Sequence, residues 1–208
     1  MNRWRLGVLA LALLSVAGCR ARVQLQISLD PLTLPLTGVS APGGSVVFYL
    51  ERRVDLKQAQ DLTVEAISWD YEARSTANLT VTLLVSDTGS TRGTELYARC
   101  TGAAIGACEV LRALGYQEAP AYLDQAAVFL QDQIAGEVER RGVPASPQAA
   151  PVLQRCIEQG EMWVIVKVEL PLPQFASFEG QVVLEQVRMH LVGTADFGGL
   201  AQALWPLL

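Results

Sequence analysis

Residues 78–86 read NLTVTLLVS. In an extended chain Leu79, Val81, Leu83 and Val85 fall on one side, and Asn78, Thr80, Thr82 and Ser86 on the other. A period of two, rich in β-branched residues, marks a strand with one buried face. The following SDTGSTRG (residues 86–93) is turn chemistry, with Gly89 and Gly93 free to take positive φ. Glu95–Arg99 then returns as the second arm of a hairpin.

The same period recurs on both sides. Upstream, Val23, Leu25, Ile27 and Leu29 alternate with Arg22, Gln24, Gln26 and Ser28 until Pro31 and Pro35 intervene. Gly38–Ser45 reads as a loop, Val46–Val54 as a strand, Asp55–Gln60 as a polar linker and Leu62–Tyr71 as a third strand. Downstream, Met162, Val164, Val166, Val168 and Leu170 share a face, and Pro171 and Pro173 end it. The last strand changes phase: Val182 and Leu184 are even-numbered, Val187, Met189 and Leu191 odd. One continuous strand would put the two sets on opposite faces. A bulge near Glu185–Gln186 is therefore expected, or a sheet covered on both faces.

Between these groups the spacing looks helical. Ile105, Cys108, Leu111 and Leu114 recur every three residues, with Gly115 placed as a stop. Pro120 suits a first turn, and Leu123, Ala127, Leu130, Ile134 and Val138 form one stripe. Arg140 and Arg141 complement a helix C-terminus, and Gly142 would end it. VPASPQAAP (residues 143–151) reads as linker, and Val152–Gln159 as a third helix ended by Gly160. The expectation is a mainly β domain with an α insertion. It is an antiparallel β-sandwich with two to three helices, about residues 103–160, between strands five and six. Seven short strands are compatible with an immunoglobulin-like arrangement.

The first nineteen residues are of another kind. Arg3 and Arg5 precede Leu6–Leu14, which is apolar throughout apart from Gly7, and small residues follow. This is the layout of a secretory signal. The run is too short to span a bilayer, which takes about 20 apolar residues. Its end, Val16-Ala17-Gly18-Cys19, resembles the lipobox of bacterial lipoproteins, with Val16 in place of the commoner leucine. The resemblance implies that residues 1–18 are a signal peptide cut before Cys19. It also implies that the Cys19 thiol carries diacylglycerol, that the new amino group receives a fatty acyl chain such as palmitate, and that residues 19–208 are one domain held in the cell envelope. Arg20 stands where an aspartate would favour retention at the inner membrane, so in a host with two membranes the outer one is expected. Arg20 and Arg22 each gain about 1 kcal/mol beside anionic head groups. If the first strand begins by Arg22 or Val23, the tether reaches only about 10 Å, and the domain stays close to the bilayer.

Four cysteines include Cys19. Of the others, Cys100 and Cys108 close a short loop containing Gly102 and Gly106 and are the first choice for a disulfide in an exported protein. Cys108 with Cys156 is the alternative.

Composition and motifs exclude more than they assign. The chain has 16 Lys and Arg against 21 Asp and Glu, and setting aside Arg3 and Arg5 moves the balance from −5 to −7. No basic face for nucleic acid is expected. The single histidine, His190, lies on the last strand beside Arg188 and Gln186, and reads as a surface residue rather than a base. No Gly-x-Ser-x-Gly elbow occurs. The cysteines lack zinc spacing, and no lysine between Gln58 and Val166 can serve a phosphate loop near Gly102 and Gly106. No metal or cofactor is expected. Asp70 and Glu72 share a strand face, and Asp124, Asp132 and Glu137 lie off the apolar stripe; each reads as solvated surface. Asn78-Leu79-Thr80 fits a glycosylation acceptor, of little weight in a bacterial lipoprotein. Trp69, Tyr71, Phe129 and Trp163 read as core before groove. Trp205, with Leu204, Leu207 and Leu208, suits either the bilayer, a partner or a fold back onto the core. The expected role is a membrane-anchored, non-enzymatic lipoprotein acting in envelope structure or protein interaction. The alternative is a module binding an apolar or lipid ligand between helices and sheet. A hydrolase ranks third.

Overall fold

The computed structural model describes residues 20–39, 44–59, 62–102, 105–171 and 177–196. Among them, nine strands form one connected sheet: β1 (Arg20–Ser28), β2 (Leu32–Val39), β3 (Gly44–Asp55), β4 (Leu62–Ser86), β5 (Thr94–Gly102), β6 (Gln117–Glu118), β7 (Ala127–Pro144), β8 (Glu161–Pro171) and β9 (Ser177–Asp196). Two α-helices, α1 (Ile105–Ala113) and α2 (Ala149–Gln159), and short 3₁₀ turns at Lys57–Ala59 and Ala121–Asp124 complete the order. Every pairing is antiparallel except β5 with β6, so the sheet is mixed.

The long strand β4 sets the architecture. Its first part pairs with β9, from Leu62 opposite Ala195 to Ser75 opposite Val182. Its last part pairs with β8, from Val81 opposite Val168 to Ser86 opposite Trp163. Between the two, the register against β7 jumps from Ser75–Gly136 to Leu79–Ile134, so β4 carries two residues more than its partner. Gly136 takes φ 70° at that point, a conformation that suits glycine. The sheet doubles over here. Both ends of β4 reach α2: the Val64 N–H donates to Gln154 Oε1 at 3.2 Å, and the Cys156 thiol donates to the Ser86 carbonyl at 3.4 Å. Strands that change layer through bulges make such corners. Leu153, Cys156 and Ile157 of α2, all fully buried, close the open end.

The predicted bulge in the last strand is present. Asp70 faces Arg188 but Glu72 faces Glu185, so β9 carries one extra residue. Gln186 there has φ 49°, and Val182, Leu184, Val187, Met189 and Leu191 are all buried. The neighbouring chain changes phase at the same level. β1 buries odd-numbered Ile27, and Leu29 just beyond it keeps that phase; β2 buries even-numbered Leu32, Leu34 and Leu36, and Asp30–Pro31 makes the switch. β1 and β2 thus line one edge of β9 end to end.

The expected helix after Pro120 is not formed. Residues 121–124 make one 3₁₀ turn, and 127–144 are β7, so the helical insertion of about residues 103–160 is interrupted by an 18-residue strand. The stripe misleads because a spacing of four fits both a helical turn and two strand steps. The positions that discriminate are Asp132, between Leu130 and Ile134, and Gly136, which is exposed at the register jump; neither is apolar. Asp132 is accommodated by Arg140, whose Nε and Nη2 donate to its carboxylate at 2.9 and 3.3 Å, and by the Tyr71 hydroxyl at 2.8 Å. These hydrogen bonds outweigh the desolvation of Asp132 and hold its pKa below the ordinary value. Two further expectations are corrected. Residues 62–71 and 78–86 belong to one strand, and the count is nine strands among the described residues, not seven.

Candidate functional site

The end of the fold next to Cys19 is built by β1, β9, the start of β4 and α2. Cys19 itself, like the signal segment 1–18 and Trp205, lies outside the described residues. β1 starts at Arg20 and is paired with β9 along its whole length, from Arg20 opposite Asp196 to Ser28 opposite Arg188. Arg22 and Glu65 form an exposed ion pair at 3.6 Å, worth under about 1 kcal/mol. Gly193 of β9 sits so close to β4 that a Cβ would overlap the Thr63 carbonyl oxygen and stand 2.9 Å from its carbon. No helix among the described residues is long and apolar enough to cross a membrane.

Cys100 and Cys108 are bonded, which leaves Cys156 as a free thiol. The alternative pair, Cys108 with Cys156, does not form: Cys156 is buried under the corner, where desolvation raises its pKa to about 12. The disulfide staples α1 to β5 and lines a cleft of about 280 Å³ with Arg99, Glu109, Arg112, Tyr116 and Glu118. Two of its charged groups are paired with each other, Arg112 with Glu118 at 3.1 Å, and Arg99 pairs with Asp124. Tyr116 donates to the Pro35 carbonyl and so ties this end of α1 to β2. A second groove of about 430 Å³ lies at the corner, lined by Glu72, Arg74, Glu137, Glu139 and Glu185. Arg74 pairs with Glu185 there, and Arg141 with Glu139 at 2.7 Å and Glu72 at 3.5 Å. The corner groove is mainly polar, whereas the cleft beside α1, to which Ala98 and Leu111 also contribute, is mixed. Under α2 the space between helix and sheet is filled by packed side chains, and the cleft between α1 and β5 is the one that lies between a helix and the sheet.

His190 is less free than the sequence suggests. Its Nε2 lies 3.0 Å from Asp70 Oδ2, and both side chains are about one-fifth exposed, at 21% and 17%. Asp70 Oδ1 accepts the Gly142 N–H at 2.8 Å. That backbone bond, then the imidazole, holds the Asp70 pKa below its ordinary value against some desolvation. The pair stands on the outer face of β1, β9 and β4: Gln26 and Ser68 are the register partners of His190. Sequence spacing gives no sign of it, since the two residues are 120 positions apart. Among the described residues, no group of three or more His, Cys, Asp or Glu is arranged to hold a metal ion.

A buried carboxylate was also hidden. Glu51 of β3 is 1% exposed on the face away from the main core. It accepts the Ser90 N–H at 2.7 Å and the Tyr122 hydroxyl at 2.5 Å. Tyr97 and Tyr122 hydroxyls lie 3.4 Å apart, and Trp163 Nε1 donates to the Ser90 carbonyl at 2.9 Å. Gly89 lies flat on the Trp163 indole, where any Cβ would overlap the ring. Glu51 therefore clamps loop 87–93 and the turn 121–124 over a small second core of Val47, Tyr49, Leu84, Tyr97, Leu123 and Ile165. Each of its oxygens accepts a hydrogen bond from the fold, as a buried carboxylate requires. Burial raises its pKa above the ordinary 4.5. The folded protein then holds this proton more tightly than the unfolded chain, so ionising Glu51 costs stability as pH rises from 4.5 through the raised value. Glu51→Gln should gain on the wild type as pH rises above 4.5. Thermal midpoints over that rise read the difference, and parallel curves would contradict it.

Of the aromatics, Trp69, Tyr71 and Phe129 are core. Trp69 and Phe129 meet edge to face, centroids 4.8 Å apart at 82°. Trp69 Nε1 is buried without a hydrogen-bond partner.

No known family model matches the chain, and no curated protein matches it. Among solved structures it is similar to a carbohydrate-binding module, "TmCBM61 in complex with beta-1,4-galactotriose", at 11% identity and a TM-score of 0.28, over 81% of this chain and 69% of that one. A likeness at that level carries no argument about ligand or ancestry.

Proposed function

We infer that this protein is a lipid-anchored, non-enzymatic component of the bacterial cell envelope, with a sandwich-like β domain that works in structure or protein interaction beside the bilayer. One observation carries the reading. The lipobox-like cysteine is followed without a spacer by a strand whose every residue is paired to β9. An anchor on Cys19 leaves the domain almost no slack, and a module that captures distant ligands needs a long, flexible tether. The non-enzymatic part is supported by the position of His190 and Asp70 on an outer sheet face, where neither lines one of the two clefts. Arg20 favours the outer membrane where the host has two.

Mass analysis of the mature protein from bacterial membranes tests the reading. The first peptide should begin at Cys19 and carry diacylglycerol and an acyl group, and Cys19→Ser should accumulate as the uncleaved precursor. An unmodified thiol at Cys19, or protein recovered free in culture fluid, rejects the anchor. In membrane-bound protein, residues 20–30 should resist protease because they are strand; ready cleavage there rejects the short tether. Crosslinking in intact cells should return envelope proteins as neighbours.

A further inference from the structure

We propose that the Cys100–Cys108 disulfide is a redox latch: a dithiol that reduces it frees α1 from β5 while the sheet stays folded. The inference goes beyond the envelope role and does not depend on an anchor at Cys19.

The two sulfurs sit on parts of the chain that are held very differently. Cys100 belongs to β5, which is paired with β3 from Thr94 opposite Arg52 to Gly102 opposite Gly44. Cys108 belongs to α1, whose grip on the domain is slight. Among the described side chains of α1, Ala107 and Leu111 are buried, at 5% and 1%, while Glu109, Val110, Arg112 and Ala113 are exposed. The Arg112–Glu118 ion pair is exposed on both sides and adds little in water. Beyond α1 the chain is fixed again. The Tyr116 hydroxyl donates to the Pro35 carbonyl, its ring meets Phe48 edge to face with centroids 5.5 Å apart, and Gln117 and Glu118 pair with β5. α1 is thus a strap between two fixed points, and the disulfide holds it midway. Gly102 and Gly115 flank it with φ of 60° and 95°, and glycine absorbs the backbone rotation that a hinge requires.

The bond is open to a reductant. Both cysteines are half-buried and line the cleft of about 280 Å³ beside α1, whereas Cys156 is fully buried. Accessible disulfides are the ones that exchange. One thiolate of the dithiol attacks a sulfur, the S–S bond breaks and a mixed disulfide forms; the second thiol then displaces it. The dithiol leaves as a disulfide, and its two protons end on Cys100 and Cys108. The freed helix presents Ala107, Val110, Leu111 and Leu114 as one stripe, at the spacing of a helix face. In the oxidised protein only half of that stripe is covered, with Val110 and Leu114 43% and 54% exposed. Release also uncovers Ala98 and Tyr116, which line the cleft together with Leu111.

The test follows hydrogen exchange by mass analysis in the full mature protein, under native conditions, before and after dithiothreitol. Reduction should speed exchange at the amides of residues 109–114 roughly 70-fold, the factor that a disulfide closing so short a loop withholds. Exchange in β8 and β9 should not change, and re-oxidation should restore the slow rate in α1. Iodoacetamide should then label Cys100 and Cys108 and spare Cys156. The double variant Cys100→Ser, Cys108→Ser should exchange fast in α1 without the reagent and ignore it. A disulfide that resists the reagent in the folded protein overturns the latch. So does unchanged exchange in α1 after reduction, acceleration that spreads to β8, or a serine variant whose α1 exchanges as slowly as the oxidised wild type.

Discussion

Gly193→Ala should cost about 3 kcal/mol of stability, near the top of the range for overpacking a tight site. The obstacle is backbone, not a side chain that can rotate away. The new Cβ would overlap the Thr63 carbonyl oxygen, which belongs to the strand paired with it. Relief requires β4 and β9 to separate next to the bulge between Val64 and Ala66, where the ladder is already irregular. This end of the sheet also holds the Val64 bond to α2, so the loss spreads to the helix that closes the core. Urea denaturation of the two proteins at matched pH reads the effect as a lower midpoint with a similar slope. An unchanged midpoint would mean that β4 and β9 do not approach as described at Thr63.

Removing the Cys100–Cys108 bond, as the double serine variant, should cost about 2.5 kcal/mol, the chain-entropy value for so short a loop. Its two cysteines are eight positions apart. The structural damage should stay local. α1 is held otherwise by buried Ala107 and Leu111 and by Tyr116 through Pro35, and those contacts do not replace a covalent staple. Limited proteolysis should then show new cleavage between residues 103 and 116, while β1, β9 and α2 stay protected. Cys156 supplies the control: its buried thiol, with a pKa raised to about 12, should resist alkylation in the folded protein in both backgrounds. Equal midpoints for oxidised and reduced protein would show that packing alone holds α1.

How far the sequence discloses this fold depends on distance along the chain. The phase change in β9 is legible because Val182, Leu184, Val187, Met189 and Leu191 leave only one way to bury both sets. The disulfide is legible because its loop is short. β7 is not, since Leu130, Ile134 and Val138 satisfy a helix as well as a strand, and Asp132, between Leu130 and Ile134, is polar. Part of what accommodates it is Tyr71, 61 residues away. Glu51 looks like an outward acid on an alternating strand, and its partners Ser90 and Tyr122 lie 39 and 71 residues away. Local periodicity carries no information about such partners, so the His190–Asp70 pair and the Glu51 clamp emerge only when the sheet is assembled.

The pairing of β1 with β9 also orders events in time. Residues 20–28, the first strand to leave the ribosome, have as their ladder partners residues 188–196. Nothing earlier in the chain can complete them. Pairings so far apart in sequence form slowly, and β2 and the start of β4 wait for the same strand. Until β9 has been made, residues 20–28 are a strand without a neighbour, and this edge of the sheet is completed only when the chain is nearly whole.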